Sequence, residues 1–338
     1  MGKKATRFML FAFILILIVI AGCGGKSQEK VIKKIEGILG NIDGYKVEAK
    51  MTMKTGQEER SYDIDIWYKK DKQEFYRVTL ESEEEDGGQV ILKNDEGVFV
   101  LTPSLNKSFK FQTEWPENSS QPYLYQSLIN DVIKDKDATF IVNDTHYVFQ
   151  TKTNYQNNTN LPFQEVYFDK KSYLPIAVKI LDKDKKALVE VVFQSNDMKP
   201  NFTKDDFKRE AILENAMAHS GEVAELNELV VMYPLHTLGS ELIEKKEVEL
   251  ENGERVIMTF KGDKNFTLIQ EMKDVLPASA ESRELVGEVI NLGHSIGALS
   301  NNALEWNYNG TDFYLASEDM TIEELIEVAT SIQGKEIK

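Results

Sequence analysis

Three short segments in the first third of the chain alternate apolar and polar side chains with a period of two. Residues 62–68 and 76–80 repeat the pattern of the first segment, whose apolar positions are Tyr45, Val47, Ala49, Met51 and Met53. Successive side chains of a β-strand point to opposite faces, so each segment predicts a strand with one wet and one dry face. Several such strands in succession constrain the chain to an antiparallel sheet that is covered on one side.

Further strands are predicted as far as residue 194. They lie at Gln89 to Lys93, Gly97 to Thr102, Lys107 to Gln112, Thr139 to Val142, His146 to Lys152, Gln164 to Asp169, Ile176 to Leu181 and Leu188 to Gln194. Turn sequences such as Asp86-Gly87-Gly88, after the acidic run of a predicted hairpin tip, separate neighbouring strands. A sheet of this many strands tends to curl towards a barrel or to split. The predicted fold class is α+β, mainly β, with a curled antiparallel sheet or incomplete β-barrel.

Two amphipathic helices accompany these strands. In residues 29–39 the apolar side chains of Val31, Ile35 and Ile38 recur at helical spacing between lysines and glutamates. A second helix follows Pro122 and interrupts the strands, with its apolar stripe at Tyr125, Leu128, Ile129 and Val132. Each helix has one apolar face that must pack on something, and the sheet is the available surface.

The first 23 residues have the pattern of a lipoprotein signal peptide. Three basic residues precede an uncharged apolar run from Phe8 to Ala21, which is shorter than the roughly 20 residues that a membrane span requires. The run ends in a lipobox, formed by Ile20, Ala21, Gly22 and Cys23. Residues 1–22 are therefore predicted to be removed, and Cys23 to carry a diacylglyceryl group. The alternative is an ordinary signal peptide or an uncleaved anchor with a chance cysteine.

Cysteine content and charge limit the partners. Cys23 is the only cysteine, so no disulfide can form within the chain. The formal charge of -16 includes three basic and no acidic residues before Cys23, which leaves about -19 on the mature part. Such a surface repels nucleic acid and anionic headgroups. Attachment to the outer face of the cell membrane must then come from the acyl chains, helped by Lys26, Lys30, Lys33 and Lys34.

The strand pattern changes after Lys199-Pro200, and a second unit follows. Phe202 and Phe207 close the first unit, residues 209–228 read as a partly helical connector, and a small α+β unit occupies residues 229–338. Its last helix begins at an N-cap, Thr321, with Glu324 three positions later. The buried stripe of that helix is predicted at Ile322, Leu325, Ile326, Ala329 and Ile332. The predicted organisation is 1–22 signal peptide, 23–208 barrel domain, 209–228 connector and 229–338 small domain.

Several motifs of the first unit carry a family resemblance. They include Gly44-Tyr45-Lys46-Val47-Glu48-Ala49, Ile66-Trp67-Tyr68-Lys69-Lys70, residues 94–103, Asn106-Lys107-Ser108-Phe109, residues 112–116 and residues 147–155. From Cys23 to about Arg209 the chain resembles the LolA-like lipoproteins of endospore-forming bacteria, which include YdcC-type sporulation proteins and, more distantly, GerS-type germination lipoproteins. The resemblance implies an incomplete barrel that is closed by helices over an apolar cavity, and a role in sporulation. Unlike the freely diffusing classical carrier, this chain is itself anchored.

The resemblance implies a cavity that holds lipid or the acyl chains of another lipoprotein. The predicted wall comprises Met51, Met53, Tyr62, Ile64, Ile66, Tyr68, Tyr76, Val78 and Leu80, and the predicted lid comprises Leu128, Ile129 and Val132. The alternative is that these side chains form an ordinary core, and that the protein is a scaffold that docks a cell-wall or germination enzyme. Alternation alone does not distinguish a filled barrel from a hollow one.

The C-terminal unit offers little chemistry. Phe260-Lys261-Gly262 and Leu304-Glu305-Trp306 resemble a small domain of unknown function found in many Gram-positive membrane proteins. Gly293-His294-Ser295-Ile296-Gly297 matches the G-x-S-x-G motif of α/β hydrolases. That fold requires an acid and then a histidine after the serine, and no histidine follows Ser295, so we interpret the motif as a hairpin turn. The histidines are too scattered for a zinc site. We therefore predict a protein that is not an enzyme and has no cofactor or metal.

Overall fold

The structure is a computed structural model. It describes residues 27–54, 59–82, 88–112, 121–154, 161–220, 229–273, 282–292, 295–308 and 310–333. The predicted signal peptide, the lipobox with Cys23, most of the predicted hairpin tip near residue 85, and Gly293 and His294 lie outside the described residues. Among the described residues, no helix is long and apolar enough to cross a membrane.

Within the described residues, the first part of the chain forms three α-helices and eleven strands. They are α1 (Gln28–Leu39), β1 (Gly44–Met53), β2 (Arg60–Lys70), β3 (Glu74–Glu81), β4 (Gln89–Asn94), β5 (Gly97–Thr102), β6 (Lys107–Phe111), α2 (Tyr125–Lys134), β7 (Thr139–Val142), β8 (His146–Lys152), β9 (Phe163–Asp169), β10 (Pro175–Leu181), β11 (Ala187–Asp197) and α3 (Arg209–Ser220). The predicted strands and both predicted amphipathic helices are present, with strand boundaries that differ from the prediction by at most three residues.

The second part forms ten further strands and one helix. They are β12 (Tyr233–Pro234), β13 (Ser240–Leu250), β14 (Gly253–Gly262), β15 (Phe266–Lys273), β16 (Arg283–Leu285), β17 (Glu288–Asn291), β18 (Ile296–Ser300), β19 (Ala303–Tyr308), β20 (Thr311–Ala316), α4 (Ile322–Thr330) and β21 (Ile332–Gln333).

Twelve strands form one large sheet in the order β16-β6-β5-β4-β3-β2-β1-β11-β10-β9-β8-β7. Neighbours are antiparallel, except that β16 joins the β6 edge in parallel, with Leu285 opposite Phe111. The sheet is curled and not closed, and the predicted mainly β fold class is confirmed. Helix α2 lies in the connection between β6 and β7 and packs beside α1.

The concave side of the large sheet is buried under the two helices. Val31 and Ile35 of α1 and Leu128, Ile129 and Val132 of α2 are 0% exposed and belong to one core cluster with the sheet residues. The convex side of β4 and β5 is covered as well, because Phe207, Ile212 and Leu213 pack on Val90, Leu92, Phe99 and Leu101. Burial on both faces explains why β4 and β5 are continuously apolar instead of alternating.

Seven strands form a small sheet in the order β13-β14-β15-β20-β19-β18-β17, against which α4 packs. Thr321 and Glu324 form the predicted capping box at the start of α4. The predicted buried stripe is wrong at Ile322, which is 37% exposed at the first turn, whereas Val328 is 0% exposed. Ile332 is buried but lies in β21, because the helix ends at Thr330.

Replacing Thr321 with alanine is expected to lower the free energy of unfolding by about 1 kcal/mol, because its side chain accepts a hydrogen bond from the Glu324 backbone N–H. The Thr321 N–H and the Lys264 ammonium in turn hold the pKa of Glu324 below its ordinary value of 4.5. A carboxylate with a lowered pKa stabilises the folded state above its ordinary pKa, and this contribution is lost as the pH falls through the lower value.

Thermal unfolding of Glu324→Gln, compared with the unmodified protein, tests the contribution of the ionised Glu324 carboxylate to stability. The variant is expected to be less stable at pH 7 and to approach the unmodified protein at pH 3. Thr321→Ser keeps the cap and serves as the control for Thr321→Ala. A loss of stability in Glu324→Gln that is the same at pH 7 and at pH 3 would contradict the lowered pKa of Glu324.

Candidate functional site

A groove of about 1270 Å³ opens between helix α2 and the concave side of the large sheet. Strands β2 to β6 form one wall, and α2 with the end of α1 forms the other. Its lining residues include Leu39, Tyr68, Lys70, Lys72, Gln73, Glu74, Tyr76, Lys93, Asn94, Asp95, Glu96, Val98, Lys110, Phe111, Gln112, Gln121, Leu124, Gln126, Ser127, Asn130, Asp131, Lys134, Asn154 and Glu284. Most of these side chains are polar or charged, so the groove differs from the packed core beneath it.

Two tyrosines form the sheet wall of the groove at its deepest part. The Tyr68 hydroxyl donates to Glu74 Oε1 at 2.8 Å, and its ring stacks on Tyr45 with 5.1 Å between centroids. Burial raises the pKa of Tyr68, and the neighbouring Glu74 carboxylate raises it further. Burial likewise raises the pKa of Tyr76. Both hydroxyls therefore remain protonated at neutral pH and act as hydrogen-bonding groups.

Five lysines line the groove, and none of them forms an ion pair among the residues that the structure describes. They are Lys70, Lys72, Lys93, Lys110 and Lys134. The ammonium of Lys93 lies 5.8 Å from the centre of the Tyr76 ring. The ammonium of Lys110 lies 5.7 Å from the ring of Phe99, which packs on the convex side, so this charge is directed away from the groove. Such cation–π contacts orient an ammonium group without neutralising its charge.

Most carboxylates of the groove already have polar partners. Besides Glu74, Asp131 accepts a hydrogen bond from Gln164 Nε2 at 2.8 Å, and Glu284 accepts one from Gln112 Nε2 at 2.9 Å. Asp95 and Glu96 lie exposed at the β4–β5 turn. The lysines are therefore the groups most available to a ligand, in a chain whose formal charge is -16.

The twelve residues predicted for the cavity wall and lid all lie in the core cluster of the large sheet, and each is at most 5% exposed. Tyr68 and Tyr76 also line the groove. The other ten are buried in this cluster together with Val31 and Ile35 of α1. Strand alternation correctly places these side chains inside, but whether they enclose space depends on how closely α1 and α2 approach the sheet.

Helix α2 is fixed to the sheet by hydrogen bonds and by rings. The Tyr45 hydroxyl donates to Gln126 Oε1 at 2.7 Å and accepts from the Tyr125 backbone N–H at 3.2 Å. The Tyr125 ring contacts Tyr45 and Phe193, with 5.0 Å between centroids in each case. The first turn of the helix is thus held at the groove by side chains of β1 and β11.

The two sheets meet across a buried junction. Leu285, Val289, Ile296 and Ala298 belong to the core cluster of the large sheet although they lie in β16, β17 and β18. Asn307 of β19 is 2% exposed, and its backbone carbonyl accepts from Gln89 Nε2 at 2.8 Å. Its side-chain Oδ1 accepts from the Thr102 hydroxyl at 3.2 Å. Residues of the second part therefore complete the core of the first.

Ser295 of the G-x-S-x-G motif belongs to this junction. Its side chain is 2% exposed, and its hydroxyl donates to the Asn307 carbonyl at 2.6 Å. It precedes β18, which pairs antiparallel with β17, instead of lying between a parallel strand and a helix. A buried hydroxyl that is engaged with a backbone carbonyl is not presented to a substrate. Among the described residues, no group of three or more histidine, cysteine or acidic side chains could hold a metal ion.

The fold and the groove define a mainly β protein, in which a curled sheet is covered by two helices and has a lysine-lined groove beside one of them. The chain belongs to the sporulation protein YdcC-like family, whose pattern matches residues 3–207. It is 44% identical over 343 residues to sporulation protein YdcC of Bacillus subtilis (strain 168), with 100% of both chains covered. The resemblance drawn from the sequence motifs is thereby confirmed.

The solved structures that match this chain are much less similar to it in sequence. MucB in complex with MucA(peri) is 11% identical, with 91% of this chain and 98% of that chain covered and a TM-score of 0.35. LolA superfamily protein NE2245 from Nitrosomonas europaea is 12% identical, with 55% and 99% covered and a TM-score of 0.30. The CwlD amidase from Clostridioides difficile in complex with the GerS lipoprotein is 12% identical, with 53% and 96% covered and a TM-score of 0.20. With TM-scores this low, the likeness extends to no particular residue or ligand.

Proposed function

We propose that this protein acts in sporulation as an extracytoplasmic binding protein that is anchored to the cell membrane through diacylglycerylated Cys23. Its ligand is an acidic polypeptide segment of a partner protein, held in the groove beside helix α2. Membership of the YdcC-like family supports the role in sporulation. The lipobox Ile20-Ala21-Gly22-Cys23 supports the anchor.

The choice of an acidic ligand rests on one observation: the groove contains lysines that have no carboxylate partner among the described residues. A polypeptide offers carboxylates to these lysines, and it offers backbone N–H and C=O groups to neighbouring amides such as Gln73 and Asn130. An acyl chain in the same groove would leave these polar groups without partners after removing them from water, which is unfavourable. This is the scaffold alternative that the sequence leaves open, with the groove as the docking surface.

An acyl ligand is a second candidate, and it requires helix α2 to move. The side chains predicted to line its cavity lie under α2. An acyl chain could therefore contact them only by taking the place of the apolar face of that helix. One observation favours such a movement. The Tyr125 hydroxyl and Gln164 Oε1 are buried at this contact without a hydrogen-bond partner among the described residues. Unpaired buried polar groups raise the free energy of the closed arrangement.

We further propose that residues 23–208 and 229–338 are not independent modules, although 209–228 connects them. The second unit supplies Leu285 and its neighbours to the core of the first, and it supplies Glu284 to the groove. Its role is to complete one end of the curled sheet. The proposal includes no catalytic step.

A photo-crosslinking residue at Asn130 tests the ligand in sporulating cells, because this position on α2 faces the groove. The expected product is a crosslink to a peptide, and mass spectrometry of the adduct distinguishes peptide from lipid. Combining Lys93→Glu with Lys134→Glu is expected to reduce the crosslink by roughly fivefold, since two exposed charge contacts contribute about 0.2–1 kcal/mol each.

The matched control changes the same charge elsewhere. Lys183→Glu combined with Lys186→Glu alters exposed lysines at the β10–β11 turn, outside the groove lining, and is expected to leave the yield unchanged. An adduct that carries only lipid would replace the polypeptide proposal with the acyl one. Equal losses in both double variants would show that net charge acts, and not the groove.

A further inference from the structure

The short distance in sequence between Cys23 and helix α1 restricts which surface can face the membrane. The first described residue, Ser27, follows Cys23 by four positions. Even a fully extended chain spans only about 14 Å over four residues. If Cys23 is acylated, as proposed above, the first turn of α1 must lie within this distance of the bilayer surface.

Strand β7 lies beside that first turn. Gln28 Nε2 donates to the Ala138 carbonyl at 3.2 Å, and Ala138 directly precedes β7. The four residues of β7 extend about 13 Å from this contact. β7 is also the last strand of the large sheet, with β8 as its neighbour, so its other edge carries no strand among the described residues. The tether therefore brings both α1 and β7 close to the lipid.

The surface around this contact has two features that suit an anionic bilayer. Lys30, Lys33, Lys34 and Lys136 are exposed and form no ion pair within the described ranges. The nearby acids are partly engaged: Asp137 pairs with Lys152, and Asp135 accepts from the Lys152 backbone N–H. Glu29, Glu36 and Asp144 are exposed, so the lysines exceed the unengaged acids by one. Lysines near the surface of an anionic membrane contribute about 1 kcal/mol each.

The second feature is apolar. Ile141 and Val142 of β7 are 42% and 44% exposed, although consecutive strand residues normally place one side chain on the dry face. Exposed aliphatic side chains beside lysines are typical of surfaces that lie in the headgroup region of a bilayer. The rest of the acidic chain would be repelled by the same surface.

From the tether length, the lysines and the exposed aliphatic pair, we infer that the first turns of α1 together with β7 form a membrane-docking face that contacts anionic headgroups. This inference rests on the proposed acylation of Cys23. It goes further, because an acyl anchor alone would leave the protein free to rotate above the bilayer. The docked orientation fixes which side of the molecule is turned away from the lipid and open to a partner.

The test uses the acylated mature protein in vesicles of phosphatidylglycerol and phosphatidylethanolamine. Cys23 is the only cysteine, so once it is acylated a cysteine introduced elsewhere is the single thiol available for labelling. An environment-sensitive fluorophore is attached to the Val142→Cys variant. The matched control is Ile243→Cys, because Ile243 is 54% exposed on the outer strand β13 of the small sheet.

We expect blue-shifted emission and quenching by brominated lipid at position 142 and neither at position 243. Replacing phosphatidylglycerol with phosphatidylcholine is expected to reduce the quenching at position 142 by about threefold or more, because the lysine contribution is lost. Equal emission at both positions would overturn the docking face while leaving the anchor intact. Mass spectrometry of the mature N-terminal peptide tests the anchor separately, since an unmodified Cys23 would contradict the acylation itself.

Discussion

Replacing Leu285 with alanine is expected to lower the free energy of unfolding by about 2–5 kcal/mol. Leu285 is 2% exposed in the core cluster of the large sheet, and its carbonyl accepts from the Gln112 backbone N–H at 3.2 Å. Truncation removes apolar contacts and leaves a cavity where β16 joins the β6 edge. Chemical denaturation of the mature protein, followed by tryptophan fluorescence and by circular dichroism, measures the loss.

The next residue provides a control for this prediction. Val286 is 65% exposed, and Val286→Ala is expected to change the stability by less than about 0.5 kcal/mol. If residues 229–338 were an independent module, Leu285→Ala would leave the unfolding of the large sheet unchanged. Two separate transitions, of which the variant shifts only one, would therefore contradict the proposal that the second unit completes the core of the first.

Removing the Tyr45 hydroxyl is expected to destabilise the protein by about 1–3 kcal/mol. In Tyr45→Phe the ring still stacks on Tyr68, but Gln126 Oε1 and the Tyr125 backbone N–H lose their partner at the start of α2. Buried groups that lose a partner retain the full penalty of having left water. Hydrogen exchange of the α2 amides should increase together with the loss of stability, because the affected contacts fix this helix.

The neighbouring tyrosine should respond differently. The Tyr125 hydroxyl is buried and has no hydrogen-bond partner among the described residues, and burial raises its pKa. Tyr125→Phe removes a polar atom that is not paired, so the change is expected to be neutral or slightly stabilising. A destabilisation of Tyr125→Phe equal to that of Tyr45→Phe would show that the Tyr125 hydroxyl has a partner in solution.

The features that sequence reasoning located correctly are those with a local physical cause. Tyr45 to Met53 alternates because a half-buried strand exposes every second side chain, and Thr321 with Glu324 satisfies backbone N–H groups within a single turn. Ile322 was misplaced because the stripe was extended into the first turn, where the side chain lies beyond the covering sheet. The G-x-S-x-G motif is predicted to be a hairpin turn, and its described part, Ser295 to Gly297, lies at the start of β18, which pairs antiparallel with β17.

The groove was not predicted, and the sequence offers a reason. Its lysines come from separated segments of the sheet and from α2. Taken alone, each is an ordinary solvent-accessible lysine at or near the end of a strand or helix. Leu285 likewise follows Arg283 and Glu284 in a segment with no strand pattern. Its burial results from pairing with Phe111, which lies far away along the chain.

The sequence by itself determined the strands, the two covering helices, the capped C-terminal helix and the family, because these follow from side-chain periodicity, from neighbours a few residues apart and from short motifs. The tertiary structure alone decided that Tyr68 and Tyr76 line a groove while the other ten inward-facing residues belong to the core cluster, that lysines without ion-pair partners converge on this groove, and that β16 completes the large sheet. Packing and pairing between distant segments depend on how closely whole elements approach each other, and no local pattern encodes that distance.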